Sequence, residues 1–247
     1  MTGLGQLLTR NFAHLRIINL PERADRRQET KIEFSRLSVP MDNTRVAFFA
    51  ANRPDDADGF PSAGARGCFE SHLAVIERAI VENVETLLVM EDDICFVPQI
   101  PSTVEAMTAR LACDDWSIFY GGFYGASPTS IEGDAGLTVV PHDEKLLTTH
   151  CIGFRRDALL LIAPYLRQML ERTAGSVDGG PMHVDGAYNW FRRAHPHLVT
   201  IAAIPPIAGQ RPSRSDIALP GFLDRNIFLR YVMEYLRRLK RMSRSAS

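Results

Sequence analysis

Short apolar runs and longer amphipathic stretches take turns along this chain. Residues 15–20 (LRIINL) read as a buried strand. A polar helix follows over 23–37 (RADRRQETKIEFSRL), with Ile32, Phe34 and Leu37 towards its end. Residues 45–51 (RVAFFAA) are a second strand, and 52–67 (NRPDDADGFPSAGARG) form a loop rich in proline, glycine and aspartate. In 68–83 (CFESHLAVIERAIVEN), Phe69, Leu73, Ile76 and Ile80 recur at spacings of four, three and four, which is one face of a helix. Residues 86–90 (TLLVM) are a core strand, with further strands at 116–122 (WSIFYGG) and 145–154 (KLLTTHCIGF). A helix over 156–172 is expected to bend at Pro164. Residues 172–183 are a loop, 184–193 (VDGAYNWFRR) a short helix or turn, and 197–217 a strand leading into a loop with proline and arginine.

This alternation predicts an α/β domain with a mostly parallel central sheet flanked by helices. Such sheets bind ligands outside the carboxyl ends of their strands. At that edge the 86–90 strand runs straight into Glu91, Asp92 and Asp93 before Ile94, Cys95 and Phe96 turn apolar again. Three adjacent carboxylates repel one another unless a cation or hydrogen-bond donors neutralise them. Extended-chain alternation sends Glu91 and Asp93 one way and Asp92 the other. Mg²⁺ and Mn²⁺ suit such a cluster, because they take hard oxygen ligands and share them with a substrate's phosphates. A solvated acidic turn is the plainer alternative.

Composition changes this picture little. The 247 residues are 45% hydrophobic and 23% charged with a net charge of −1, so the whole molecule offers no nucleic-acid surface. The first 16 residues lack the apolar core of a signal peptide, and no apolar run reaches the roughly 18 residues of a membrane span. Cys68, Cys95, Cys113 and Cys151 contain no C-x-x-C pair. They read as core residues of a reduced, cytoplasmic protein rather than a structural zinc site.

Other strand ends carry polar groups. Asn19 ends the first strand, and Arg23, Asp25, Arg26 and Arg27 follow; these arginines either contact phosphates or open a solvated helix. His72 lies near the edge of an apolar helix face. His150 is either a metal ligand or a packed side chain. Asp185, near Tyr188 and Trp190, is either a general base facing a sugar or a helix N-cap.

Together these residues resemble glycosyltransferase family 25, which includes bacterial lipopolysaccharide and lipooligosaccharide galactosyltransferases and collagen galactosyltransferase domains. INLPERADRR (18–27) is similar to the family's N-L-x-x-R-x-D-R, and GARGCFESH (64–72) to its G-x-x-G-C-x-x-S-H. VMEDDICF (89–96) is similar to its E-D-D strand end, and IFYGG with TTHCIGF to its later strand pair. The resemblance runs over about residues 14–217. It implies a GT-A-like single domain, a UDP-sugar donor, a glycan or lipid-linked oligosaccharide acceptor, inversion and Mn²⁺ or Mg²⁺. It implies Asp93 as a direct metal ligand, with Glu91 or Asp92 on the metal or the donor's ribose; taken with the reading of His150, the candidate ligand set is Glu91, Asp93 and His150. Donor binding would fall to Asn19, Arg23, Asp25, Arg26, Gly67, Ser71, His72, Asp92, Gln210, Arg211 and Arg214. Asp185 is the candidate base. Cys151 and Ile152 depart from the family pattern of a small and an aromatic residue.

Residues 1–13 read as an N-terminal extension and 218–247 as a basic tail, RNIFLRYVMEYLRRLKRMSRSAS within it fitting an amphipathic helix. Such a helix either lies on an anionic membrane surface, making the protein peripheral on the inner face of the cell membrane, or packs on protein. Two rivals stand beside the glycosyltransferase reading: a metal-dependent phosphodiesterase, and a non-catalytic nucleotide-sugar-binding protein of the same fold.

Overall fold

The computed structural model describes residues 3–99, 101–125 and 136–211. Its central sheet holds β1 (His14–Asn19), β2 (Val46–Ala50), β3 (Thr86–Glu91), β5 (Ile118–Tyr124), β6 (Gly136–Val140), β7 (Leu147–Arg155) and β8 (Thr200–Ile204). Their spatial order is β2-β1-β3-β7-β5-β8-β6. Strands β2, β1, β3, β5 and β8 run one way, and β7 and β6 run the other. The expected mostly parallel sheet is therefore present, with β7 inserted antiparallel between its two halves. A small second sheet pairs β4 (Ile94–Phe96) with β9 (Ala208–Gln210).

Strand alternation divides the core in two. Leu87 and Val89 of β3 pack on one face with α3 (Ala63–Val81), α5 (Arg156–Glu171) and α6 (Val184–Ala194). Leu88 and Met90 pack on the other with α1 (Gly3–Asn11), α2 (Ala24–Arg36) and α4 (Pro101–Leu111). A strand buried on both faces is apolar along its buried length, which is why Leu87, Leu88, Val89 and Met90 show no polar alternation. The spaced residues Phe69, Leu73 and Ile76 of α3 are buried in the first core as the periodicity requires. That helix starts earlier than its apolar stripe, because the Ser62 hydroxyl caps the Ala65 N–H.

Four elements escape the sequence pattern: β4, α4, β6 and β9. Helix α1 is a fifth finding. Leu4, Leu7, Leu8 and Phe12 are buried in the second core, so the segment ahead of residue 14 shares the domain's interior. Helix α5 continues through Pro164 from Arg156 to Glu171. No described helix is long and apolar enough to cross a membrane. The tail 218–247 and Arg214 lie outside the described residues.

Candidate active site

The parallel register of β1 and β3 sets Ile18 opposite Glu91. Asn19 and Asp92 thus emerge side by side at the carboxyl ends of the two strands. Strand β3 stops at Glu91, and Asp92 and Asp93 make the turn into β4. Above this edge opens a cavity of about 450 Å³. Glu91, Asp92, Asp93, Arg26, Gly67, Ser71, Asp185 and Gln210 all line it.

The three carboxylates have different surroundings. Asp92 is buried; its Oδ2 accepts from Asn19 Nδ2 at 2.8 Å and its Oδ1 from Arg26 Nη1 at 2.9 Å. Its backbone carbonyl accepts from Thr30 Oγ1 at 2.8 Å and from Arg211 Nη2 at 2.5 Å. Asp93 Oδ1 is buried with no hydrogen-bond partner among the described residues. Burial pushes the Asp93 carboxyl up to about 6, against the opposing pull of Arg26. Glu91 accepts one hydrogen bond, from Thr149 Oγ1 at 2.8 Å. Burial first, and the neighbouring Asp93 second, push its carboxyl up to about 8. Asp92 is thus fixed by donors within the fold, whereas Glu91 and Asp93 share a charge deficit at the cavity.

Asn19 sits behind this wall, with its Oδ1 accepting from Arg27 Nε at 3.0 Å. Arg23 and Asp25 pair with each other at 2.9 Å on the surface, which draws Asp25 down to about 2. Neither lines the cavity. Gly67 is required by close approach: a Cβ there would stand 2.5 Å from the Asn52 carbonyl oxygen. Ser71 holds the same loop, its Oγ accepting from Asn52 N at 2.9 Å and donating to the Gly67 carbonyl at 2.6 Å. The G-x-x-G-C-x-x-S-H stretch therefore docks α3 against the loop that roofs the cavity.

Asp185 lies in the first turn of α6 and does not cap it; the N-cap is His183. Its Oδ2 accepts from the Thr148 N–H at 3.1 Å. Thr148 has φ +66°, a strained conformation for a β-branched residue, and this aims its N–H at Asp185. Arg211 does not reach into the cavity as a free cation. Its Nη1 donates to the Ile94 carbonyl at 2.7 Å, its backbone N–H donates to the Asp93 carbonyl at 2.7 Å, and its Nε lies 3.1 Å from Glu29. It straps the acidic turn in place.

The expected ligand set of Glu91, Asp93 and His150 does not come together. His150 is buried on the opposite side of β7, where its Nε2 meets the Ala208 carbonyl at 3.2 Å and its Nδ1 the Thr148 hydroxyl at 3.0 Å. Both nitrogens are engaged, and burial lowers its pKa to about 4. A different trio does converge. Cys68, His72 and Glu91 place one ligand atom each within 4.8 Å of one another. His72, expected to line the donor pocket, instead lies fully buried behind Glu91. Cys68, Thr148 and Thr149 were missed by sequence reasoning. For Cys68 a signal was present: it precedes His72 by four residues, one helical turn.

Several solved structures are similar in outline. A glycosyltransferase involved in glycosylation of the major capsid of PBCV-1 is 14% identical, with 77% of this chain and 93% of that chain covered and a TM-score of 0.35. UDP-glucose pyrophosphorylase complexed with UDP-glucose is 12% identical, with 81% and 76% covered and a TM-score of 0.43. Mannose-1-phosphate geranyltransferase from Thermus thermophilus is 13% identical, with 77% and 72% covered and a TM-score of 0.37. No curated protein sequence matches the chain significantly. Residues 12–123, however, match the family model of glycosyltransferase family 25 (LPS biosynthesis protein). The opening motif, the glycine and histidine motif of α3 and the E-D-D strand end all fall inside that match, so in the half of the chain that builds the acidic wall the resemblance is to glycosyltransferase family 25.

Proposed function

We propose that this chain is a glycosyltransferase that moves a sugar, galactose as first candidate, from a UDP-sugar to a glycan or lipooligosaccharide acceptor. One observation carries the reading: Glu91 and Asp93 share a cavity of about 450 Å³ at the ends of parallel strands, within the stretch matched to family 25. A cavity of that size suits a small-molecule ligand.

The residues fit a hard divalent ion, Mn²⁺ or Mg²⁺. Asp93 Oδ1 is buried without a hydrogen-bond partner among the described residues, and Asp93 disfavours the charge on Glu91. A cation relieves both costs. Glu91 and Asp93 would hold it, and when bound it would supply positive charge to the diphosphate leaving group. Asp92 has a different task. Held by Asn19 and Arg26, it keeps the turn in the one shape that leaves its two neighbours facing the cavity. Arg26 also brings its guanidinium to the cavity wall, where it favours a phosphate.

Asp185 is the carboxylate we assign as general base. It lines the same cavity, and its hydrogen bond from Thr148 N–H holds its orientation. An acceptor hydroxyl in reach would lose its proton to Asp185 while attacking the anomeric carbon opposite the departing diphosphate, which inverts that centre. The basic segment 218–247 is assigned to an anionic membrane surface, where a lipid-linked acceptor would be found. Equal co-sedimentation with anionic liposomes of the full chain and of a chain ending at Asp224 removes that assignment.

The function is tested by thermal stabilisation with UDP-, GDP-, CMP- and TDP-sugars with and without Mn²⁺, followed by donor hydrolysis. UDP-sugars should raise Tm only with the metal, and Asp93→Asn should abolish that rise. Failure of every nucleotide sugar to bind, or full metal-dependent activity in Asp93→Asn, overturns the proposal.

A further inference from the structure

Behind the acidic wall the chain gathers a second kind of donor set. Cys68 and His72 stand one turn apart on α3, and Glu91 ends the neighbouring β3. Their ligand atoms, a thiol sulfur, an imidazole nitrogen and a carboxylate oxygen, lie within 4.8 Å of one another. His72 is fully buried, and its Nε2 has no hydrogen-bond partner among the described residues. That nitrogen is aimed at Glu91, 3.9 Å from Oε1, too far for a hydrogen bond. A buried imidazole nitrogen left bare is costly, and a bound ion would satisfy it.

The other ring nitrogen is already oriented for that role. His72 Nδ1 lies 2.9 Å from the Tyr188 hydroxyl. Metal-bound histidines commonly donate their second N–H to an outer partner that fixes the ring. With Nδ1–H donated to the Tyr188 oxygen, Nε2 presents its lone pair to the Glu91 side. Cys68 and Glu91 also line the cavity, so a ligand position opposite His72 opens to it.

We propose that Cys68, His72 and Glu91 form a site for a borderline-soft divalent ion, with Zn²⁺ as its natural occupant, on the floor of the cavity. Thiolate and imidazole ligands select zinc over Mn²⁺ or Mg²⁺, which prefer oxygen. Three protein ligands with a fourth position open match the usual pattern of an accessible zinc site. Binding sends the Cys68 thiol proton, and the proton on the Glu91 carboxyl where it holds one, to solvent as the sulfur–metal and oxygen–metal bonds form. Glu91 belongs to this set and to the Glu91–Asp93 pair, so zinc here competes with Mn²⁺ or Mg²⁺ for that carboxylate. The zinc site does not depend on the transferase assignment, because its donors and its test involve no nucleotide sugar.

The test titrates the chelator-treated full-length protein with Zn²⁺ against a chromophoric chelator, and with Co²⁺ as a spectroscopic probe. One ion should bind per chain, and Co²⁺ should give a near-ultraviolet thiolate-to-metal charge-transfer band. Cys68→Ser should abolish the band, His72→Gln should weaken zinc binding by more than tenfold, and Tyr188→Phe should weaken it by about 10–100-fold through the lost orientation of His72. Cys95→Ser and Cys113→Ser should leave both readouts unchanged. Should Cys68→Ser fail to fold, the wild-type band and its survival in those two variants still decide. Absence of one-to-one binding, absence of the band, or its loss in either control variant overturns the site.

Discussion

Arg26 Nη1 and Asp92 Oδ1 meet at 2.9 Å with both side chains almost wholly buried, although 66 residues separate them in the chain. This pair takes the middle carboxylate of the acidic run out of contention as a free ligand. It also ties α2 to the turn that leaves β3. Removing one partner leaves an uncompensated buried charge, which costs far more than the pair contributes. Arg26→Met should therefore destabilise the protein by about 3–5 kcal/mol in urea denaturation. Asp92→Asn in the Arg26→Met background should recover part of that loss. Equal stability of the single and double variants would show that the two residues are not coupled.

Gly67 faces a backbone oxygen that cannot easily retreat, since Asn52 is itself held through its N–H to Ser71. Gly67→Ala should cost about 1–3 kcal/mol as the 52–54 loop is pushed off α3. Donor affinity should fall as well, because that loop roofs the cavity. Calorimetric unfolding and donor titration on the same variant check both effects. An unchanged melting temperature would mean that the loop yields freely.

Glu91 makes stability depend on pH in a defined direction. Its carboxyl stands at about 8 in the fold, well above the ordinary carboxylate range. Between the ordinary value and about 8, the folded state holds a proton that the unfolded chain has released. Stability of the metal-free protein should therefore fall as pH rises through that window. Glu91→Gln should remove this contribution. The stability of Glu91→Gln relative to wild type should increase with pH up to about 8 and then level off. Denaturation of both proteins in chelator at several pH values measures it, and a pH-independent difference would refute the shift.

Asp185 offers a separation of chemistry from binding. Asp185→Asn retains an oxygen to accept the Thr148 N–H but cannot take a proton. Turnover should fall by about 10²–10⁴-fold, the usual worth of a positioned base. Donor affinity in the same variant should stay within a factor of a few. A variant that loses donor affinity while keeping its turnover number would place Asp185 in binding instead.

Much of the architecture is legible in the order of residues along the chain. The apolar run at 86–90, the face formed by Phe69, Leu73 and Ile76, and the acidic strand end are local patterns, and strand and helix periods read directly from them. The elements that escape such reading do so for different reasons. Strand β4 has three residues, too few to show a period, whereas α4 carries Val104, Met107 and Leu111 at helix-face spacings of three and four. In the site, alternation separates Asp92 from Glu91 and Asp93, yet all three line the cavity, and only the donors on Asp92 set it apart. The place of His150 is not readable in this way. Its neighbour Thr149 faces Glu91, so strand alternation turns His150 to the opposite face, against Ala208.

The sequence by itself determined the strands and helices with a clear period, and it put three carboxylates where a core strand must end. Those are consequences of side-chain period and chain direction, which are local. Only the tertiary structure decided how the carboxylates divide their roles. Asn19 and Arg26 neutralise Asp92 because β1 lies beside β3 in one register, Ile18 against Glu91. Cys68 and His72 reach Glu91 because α3 packs on the same face of the sheet. Both are long-range juxtapositions set by packing of the whole core, and hydrophobic periodicity specifies which face is buried without specifying what it will meet.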